Sequence, residues 1–250
     1  MEEVEAGGNL TSKFVGWDEE GENATQGNVG SLASHTITGL QIVYAAVCLA
    51  GVLGNLLVIY CMVRFPPSLH TVTNTYVLNL AVADLAFLAG IPALLATMAA
   101  RSWPLDSAAC ALYSAGGAAA QLASTLFLTA LAVDRYIAVC HPHRSPALRT
   151  PRAARVVCLL AWAAATLHAA PHLLCARAGR GGGAARQSCR LEWPNRVTAE
   201  VYTLYSLVAG FSLPCLTLLG CYGLVVAQLW CCGPTLTRTS PTQRRLQAKV

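Results

Sequence analysis

The chain has 250 residues, 17 of them Lys or Arg and 12 Asp or Glu, so 12% are charged while 55% are hydrophobic. A soluble domain carries about 25% charged residues. These totals exclude soluble globular, disordered, nucleic-acid-binding and collagen-like classes, and the net charge of +5 says little until the charges are placed.

Residues 1–35 hold seven acids (Glu2, Glu3, Glu5, Asp18, Glu19, Glu20, Glu22) and one Lys, with frequent Gly and no periodicity. This predicts a disordered tail. It lacks the basic start and apolar run of a signal peptide, so the first apolar segment is expected to be its own insertion signal. Two N-x-S/T sequons, at Asn9 and Asn23, fall in this tail and nowhere else. They predict an extracellular, glycosylated end.

Five stretches then lack charge almost entirely: 36–63, 71–100 (with Asp84 alone), 107–133, 156–176 and 201–237. A helix needs about 20 apolar residues to cross a bilayer core. Only closed backbone hydrogen bonding survives in lipid, and none of these stretches alternates as barrel strands do, so each predicts a spanning helix. The expected fold is an all-α membrane bundle, in the order tail 1–35, five-helix bundle 36–232, and a polar segment 233–250. With the tail outside, the segments 64–70, 134–155 and 230–250 hold ten Lys and Arg against seven on the other side, which is the expected inward bias.

Of eleven cysteines, Cys48, Cys61, Cys158, Cys215 and Cys221 lie inside predicted spans, where a lone Cys is a packing residue. Cys140, Cys231 and Cys232 fall on the cytoplasmic side, and the last two are candidates for palmitoylation. Cys110, Cys175 and Cys189 face outside. A Cys110–Cys189 bridge would tie the loop after the fourth span across the helix mouth, and Cys175 could compete for Cys189.

An ionisable group inside a bilayer is a functional hypothesis by default. Asp84 stands alone in the second span, with Asn55 and Ser124 as candidate partners, and is expected either to be protonated or to hold a cation. Asp134-Arg135-Tyr136 closes the third span, where an Asp beside an Arg can pair locally. His168 and His172 share one helix face and could hold a metal; Pro171 between them and the lack of a nearby acid favour packing or a polar lining. Pro214 should free a carbonyl and kink the fifth span. No H-E-x-x-H, P-loop or G-x-S-x-G motif is present, so no enzymatic site is expected. Gly181-Gly182-Gly183 precedes no strand–helix unit and reads as a flexible loop.

The motifs together resemble a rhodopsin-like G-protein-coupled receptor. They are Gly54-Asn55, Leu80-Ala-Val-Ala-Asp84, Cys110, Ser124, Asp134-Arg135-Tyr136, Trp162, Cys189, Pro214 and Tyr222, in the family's order. The runs Thr71–Asp84 and Asp134–Pro142 are similar to peptide receptors of the somatostatin, opioid and galanin group. Arg144-Ser-Pro, Arg149-Thr-Pro and Ser102-Trp103 resemble the allatostatin-C receptors within it. The resemblance implies a plasma-membrane receptor with a Cys110–Cys189 disulfide, a neuropeptide ligand, coupling through Asp134, Arg135 and Tyr136 to an inhibitory heterotrimeric G protein, and no cofactor beyond a sodium ion near Asp84. It implies that activation separates the cytoplasmic helix ends and frees Arg135 from Asp134.

There are two departures. Gly117 stands where amine, opioid and vertebrate somatostatin receptors carry an Asp in the third span, which argues against an amine ligand. The family has seven spans, and this chain stops at Val250 after residues resembling the start of a sixth. It is therefore expected to be a fragment, or else a truncated, non-signalling receptor acting as a regulatory partner. A small-solute transporter or channel subunit is the rival from another class, but no repeat relates the two halves.

Overall fold

Five helical segments among the described residues are long and apolar enough to cross a bilayer: His35–Arg64, Val72–Ala100, Ser107–Cys140, Pro151–Cys175 and Arg196–Cys231. They fall on the five predicted spans. The computed structural model describes the backbone of residues 11–65, 71–179 and 186–236, and the side chains of 35–65, 71–179 and 186–231. Asn9 and the stretch 237–250 lie outside the described residues, as do the side chains of Asn23 and Cys232 and the triglycine Gly181–Gly183.

Packing divides the chain into two units, Met1–Val47 and Cys48–Val250. The first is helical from Thr11, as the opening part of α1 (Thr11–Arg64). Composition predicts an unstructured tail over this stretch, so the helical backbone of 11–35 is a difference. Once an apolar span has nucleated a helix, each further residue adds one hydrogen bond for one residue ordered, and the helix can run on into polar sequence.

In the second unit, α2 (Val72–Leu88) is capped by the Thr71 side chain on the Asn74 amide. The second span breaks at Gly90 before α3 (Ile91–Ala100). Pro92 has no N–H to offer the Leu88 carbonyl. That carbonyl instead lies 3.8 Å from Cys48 Sγ, and Gly90 closes a tighter turn onto Phe87. Next come α4 (Ser107–Cys140), capped by Asp106, and the single turn α5 (Ser145–Leu148). The fourth span is α6 (Pro151–Cys175), capped by Thr150. The fifth is α7 (Arg196–Leu207), capped by Asn195, then a π turn (Val208–Ser212) and α8 (Leu213–Leu236).

That π turn is how Pro214 is accommodated. Its missing N–H would have served Gly210, and the ladder slips so that Leu213 N–H reaches Val208 O while the Ser212 hydroxyl donates to Leu207 O at 3.2 Å. The predicted interruption is present as one wide turn. Between α6 and α7, and not foreseen in the sequence, strands β1 (Ala176–Gly179) and β2 (Ser188–Leu191) form an antiparallel hairpin that pairs Ala178 with Cys189.

The core lies between α2, α4 and α6. Ala154, Cys158, Ala161, Ala165 and Ala169 make one buried face of α6. With no bulky side chain in the way, that face packs against α4 around Phe127, which is fully buried. Trp162 leans edge-on against Phe127 and donates its indole N–H to Asn79 Oδ1 at 3.0 Å, tying α6 to α2 across the core. Trp162→Phe should therefore cost about 1 kcal/mol, read as a lower melting temperature of the detergent-solubilised chain. An unchanged melting curve would show that the indole bond adds nothing.

Away from the core, large apolar side chains face outward, among them Leu167 at 76% and Trp230 at 81% exposure. In water such a surface would aggregate, whereas lipid covers it without penalty.

Candidate functional site

Helix α4 carries a distinct constellation at each of four levels. At its outer end, Cys110 is bonded to Cys189 with Cα atoms 5.5 Å apart. Cys175 is a free thiol, so the competition for Cys189 is resolved in favour of Cys110. The hairpin carrying Cys189 is seated by more than the disulfide. Ser107 Oγ donates to Ala178 O and accepts from Ala178 N–H, both at 3.2 Å. Trp103, 3% exposed, donates its backbone N–H to Gln187 O at 2.8 Å and packs against Cys110 and Ala176. Arg177 and Arg190 sit opposite each other on the two strands. This like-charge pair costs stability. Arg177 turns to Ala176 O and Arg190 to Ser188 Oγ.

Just below, Tyr202 of α7 draws together the two histidines. Its oxygen lies 2.9 Å from His172 Nε2, 3.2 Å from His168 Nε2 and 2.9 Å from His168 O. Its one proton suits the carbonyl, so His172 Nε2 donates to it. His172 Nδ1 then accepts from Ser114 Oγ at 2.8 Å. With both ring nitrogens of His172 occupied, the pair serves as a polar link between α4, α6 and α7. Among the described residues no group of three His, Cys, Asp or Glu side chains is placed to hold a metal. Gly117 is half-buried, with open space where a side chain would begin.

At mid-membrane, Ser124 Oγ donates to Asp84 Oδ1 at 2.7 Å, while Asp84 Oδ2 has no hydrogen-bond partner among the described residues. Asn55, expected beside Asp84, instead donates its amide to Gly51 O at 2.9 Å. The carbonyl one turn back is always within reach of a mid-helix Asn, and it takes the bond locally.

At the inner end the expected pairing within Asp134-Arg135 does not form. Asp134, 3% exposed, takes Arg149 in a two-pronged ion pair, with Nε at 2.7 Å from Oδ1 and Nη2 at 3.1 Å from Oδ2. Thr73 of α2 adds its hydroxyl to Oδ2 at 2.7 Å. The hydrogen bonds to Asp134 push the Arg149 pKa above its ordinary value. A planar fork matching both carboxylate oxygens outcompetes a neighbour whose side chain leaves the helix in another direction. Arg135 is exposed and makes no ion pair among the described residues, and Tyr136 Oη lies 3.0 Å from His141 Nε2.

Of the remaining predicted residues, Pro214 is buried and Tyr222 half exposed on α8. Sequence reasoning missed Arg149, Thr73 and Tyr202 as site residues. Only the run of Arg after the third span hinted at the first of these.

Comparisons with known proteins agree with this layout. Residues 54–250 match the model of the 7 transmembrane receptor (rhodopsin family). The chain is 37% identical to rat somatostatin receptor type 4 over 85% of its length and 54% of the relative's. It is 37% identical to human somatostatin receptor type 3, covering 91% of this chain and 56% of that one. It is 35% identical to bovine somatostatin receptor type 5, covering 96% and 64%. The chain thus spans little more than half the length of these relatives, which are receptors and not enzymes. It belongs to the rhodopsin family of seven-transmembrane receptors.

Proposed function

We propose that these residues form part of a plasma-membrane receptor for an extracellular somatostatin-like or allatostatin-C-like peptide, coupled to a heterotrimeric G protein of the inhibitory type. The observation that carries this reading is the polarity of α4. One end is pinned under a hairpin by Cys110–Cys189, and the other presents an exposed Arg135 beside a locked Asp134. In this reading the N-terminus is extracellular, the peptide enters at the hairpin end, and Arg135 meets the G protein. Binding shifts the population between two arrangements by its differential affinity for them.

Release of Asp134 from Arg135 is not a step in this mechanism, because the two are not paired. The hold to be loosened is Asp134–Arg149, which fixes the loop after α4 to both α4 and α2 through Thr73. Asp84 and Ser124 are the residues that would hold a sodium ion, the carboxylate supplying the charge and its second oxygen being open to it. Such an ion would favour the inactive arrangement.

The test is peptide binding and peptide-stimulated nucleotide exchange in membranes bearing a receptor that contains these residues. Arg135→Ala should abolish exchange and leave peptide binding and surface expression intact. Normal exchange in that variant would remove the coupling role. No binding of any somatostatin-like or allatostatin-C-like peptide to the unaltered receptor would remove the ligand class.

A further inference from the structure

We propose that the groove between α4 and α6 at the Asp134 end holds one anionic glycerophospholipid, its acyl chain between the helices and its phosphate oxygens at Tyr76 and Arg149. The groove is a cavity of about 550 Å³ whose walls include Leu126, Val133 and Ile137 of α4 and Val157 and Leu160 of α6. Leu160 is 64% exposed, so the groove opens sideways to the bilayer and not into the bundle. From Ile137 up to Leu126 it follows eleven helical steps, about 16 Å at 1.5 Å each. One leaflet's hydrocarbon is about 15 Å deep, half of a core of about 30 Å. The occupant is therefore an acyl chain lying along one leaflet, with its head at the end that carries the polar groups.

Those polar groups are donors. Tyr76 borders the groove at 6% exposure, and its hydroxyl has no hydrogen-bond partner among the described residues. The Tyr76 oxygen is not sealed from the groove, since Ser206 Oγ is the buried unpaired side-chain atom among the described residues, so it is free to donate to a ligand oxygen there. Arg149, also at the rim, commits Nε and Nη2 to Asp134 and Thr73, while Nη1 finds no acceptor among the described residues. Asp134 does not repel the anion strongly, because three donors already cover its two oxygens and it is buried. The approach is basic as well, with Arg144, Arg152 and Arg155 exposed nearby in the sequence and no acid between Asp134 and Glu192. Each basic residue near a membrane surface favours anionic lipid.

The full chain, reconstituted in bilayers of phosphatidylcholine with or without phosphatidylserine, tests this by native mass spectrometry. One phosphatidylserine per chain should be retained over phosphatidylcholine by about tenfold. Tyr76→Phe, which keeps the ring, should lower that retention about tenfold. Ala164→Phe, which fills the groove from an exposed position, should abolish it. Both variants should melt as the unaltered chain does in phosphatidylcholine alone, and lose the added stability that phosphatidylserine confers. Equal retention of the two lipids, retention unchanged by both variants, or preferential retention of free oleate would each overturn the assignment.

Discussion

Arg149→Ala lowers the stability of the chain by about 3 kcal/mol, because it leaves the Asp134 carboxylate buried with only Thr73 to answer it. For a chain of this size that corresponds to about 6–12 °C in melting temperature. The number is governed by the stranded charge and not by the worth of the pair itself. Adding Asp134→Asn to Arg149→Ala should therefore recover much of the loss, since a neutral amide can stay buried beside Thr73. Arg149→Lys should recover little, because an ammonium cannot face both carboxylate oxygens at once. Melting curves of the single and double variants check this directly. If Arg149→Ala melts with the unaltered chain, water reaches Asp134 and the pair is a surface contact.

Cys110→Ala with Cys189→Ala is expected to be the most damaging change to peptide recognition. The bond closes a loop of 79 residues, and a chain-entropy estimate for that length is about 4.5 kcal/mol. Helices α4 and α6 stay in the membrane with or without the bond, so the loop is never free to wander and the stability loss will be well below that figure. The hairpin itself bears the effect. Its remaining ties include Ser107 on Ala178, the Trp103 N–H and Ser102 hydroxyl on Gln187 O, and the Gln187 amide on Leu105 O, while the facing arginines 177 and 190 push its strands apart. Peptide affinity should fall at least about tenfold while surface expression persists, measured by ligand binding on intact cells. Binding unchanged in the double variant would mean that these hydrogen bonds hold the hairpin alone.

The spans were legible because a bilayer imposes one requirement on every residue of a long segment, so the signal repeats over 20 or more positions. The Cys110–Cys189 bond came through the resemblance, which supplied the pairing that composition leaves open, whereas Ser124 was one of two candidate partners already offered to a lone intramembrane Asp84. What was missed depends on which of several chemically equal neighbours wins. Asp134 has an arginine beside it in sequence and another fifteen residues on, and only the path of the loop through α5 shows that the second one reaches. Asn55 had both a distant acid and a carbonyl one turn away, and took the nearer. Tyr202 was unremarked because a tyrosine in a span is ordinary until its hydroxyl meets two histidines from another helix.

The π turn at Val208–Ser212 also sets the azimuth of the fifth span. One residue more than an α turn displaces everything beyond it by about 100° around the axis. Tyr202, on the outer side of this joint, is held towards His168 and His172, while Leu224, on the inner side, meets Cys140 of α4 through its carbonyl. The two halves of the span are thus clocked separately, each to its own neighbours. A single-residue deletion within the turn would remove the extra residue but leave Pro214 without an N–H for the ladder, and it would cost alignment as well, since no one rotation could then satisfy both the histidine pair and α4.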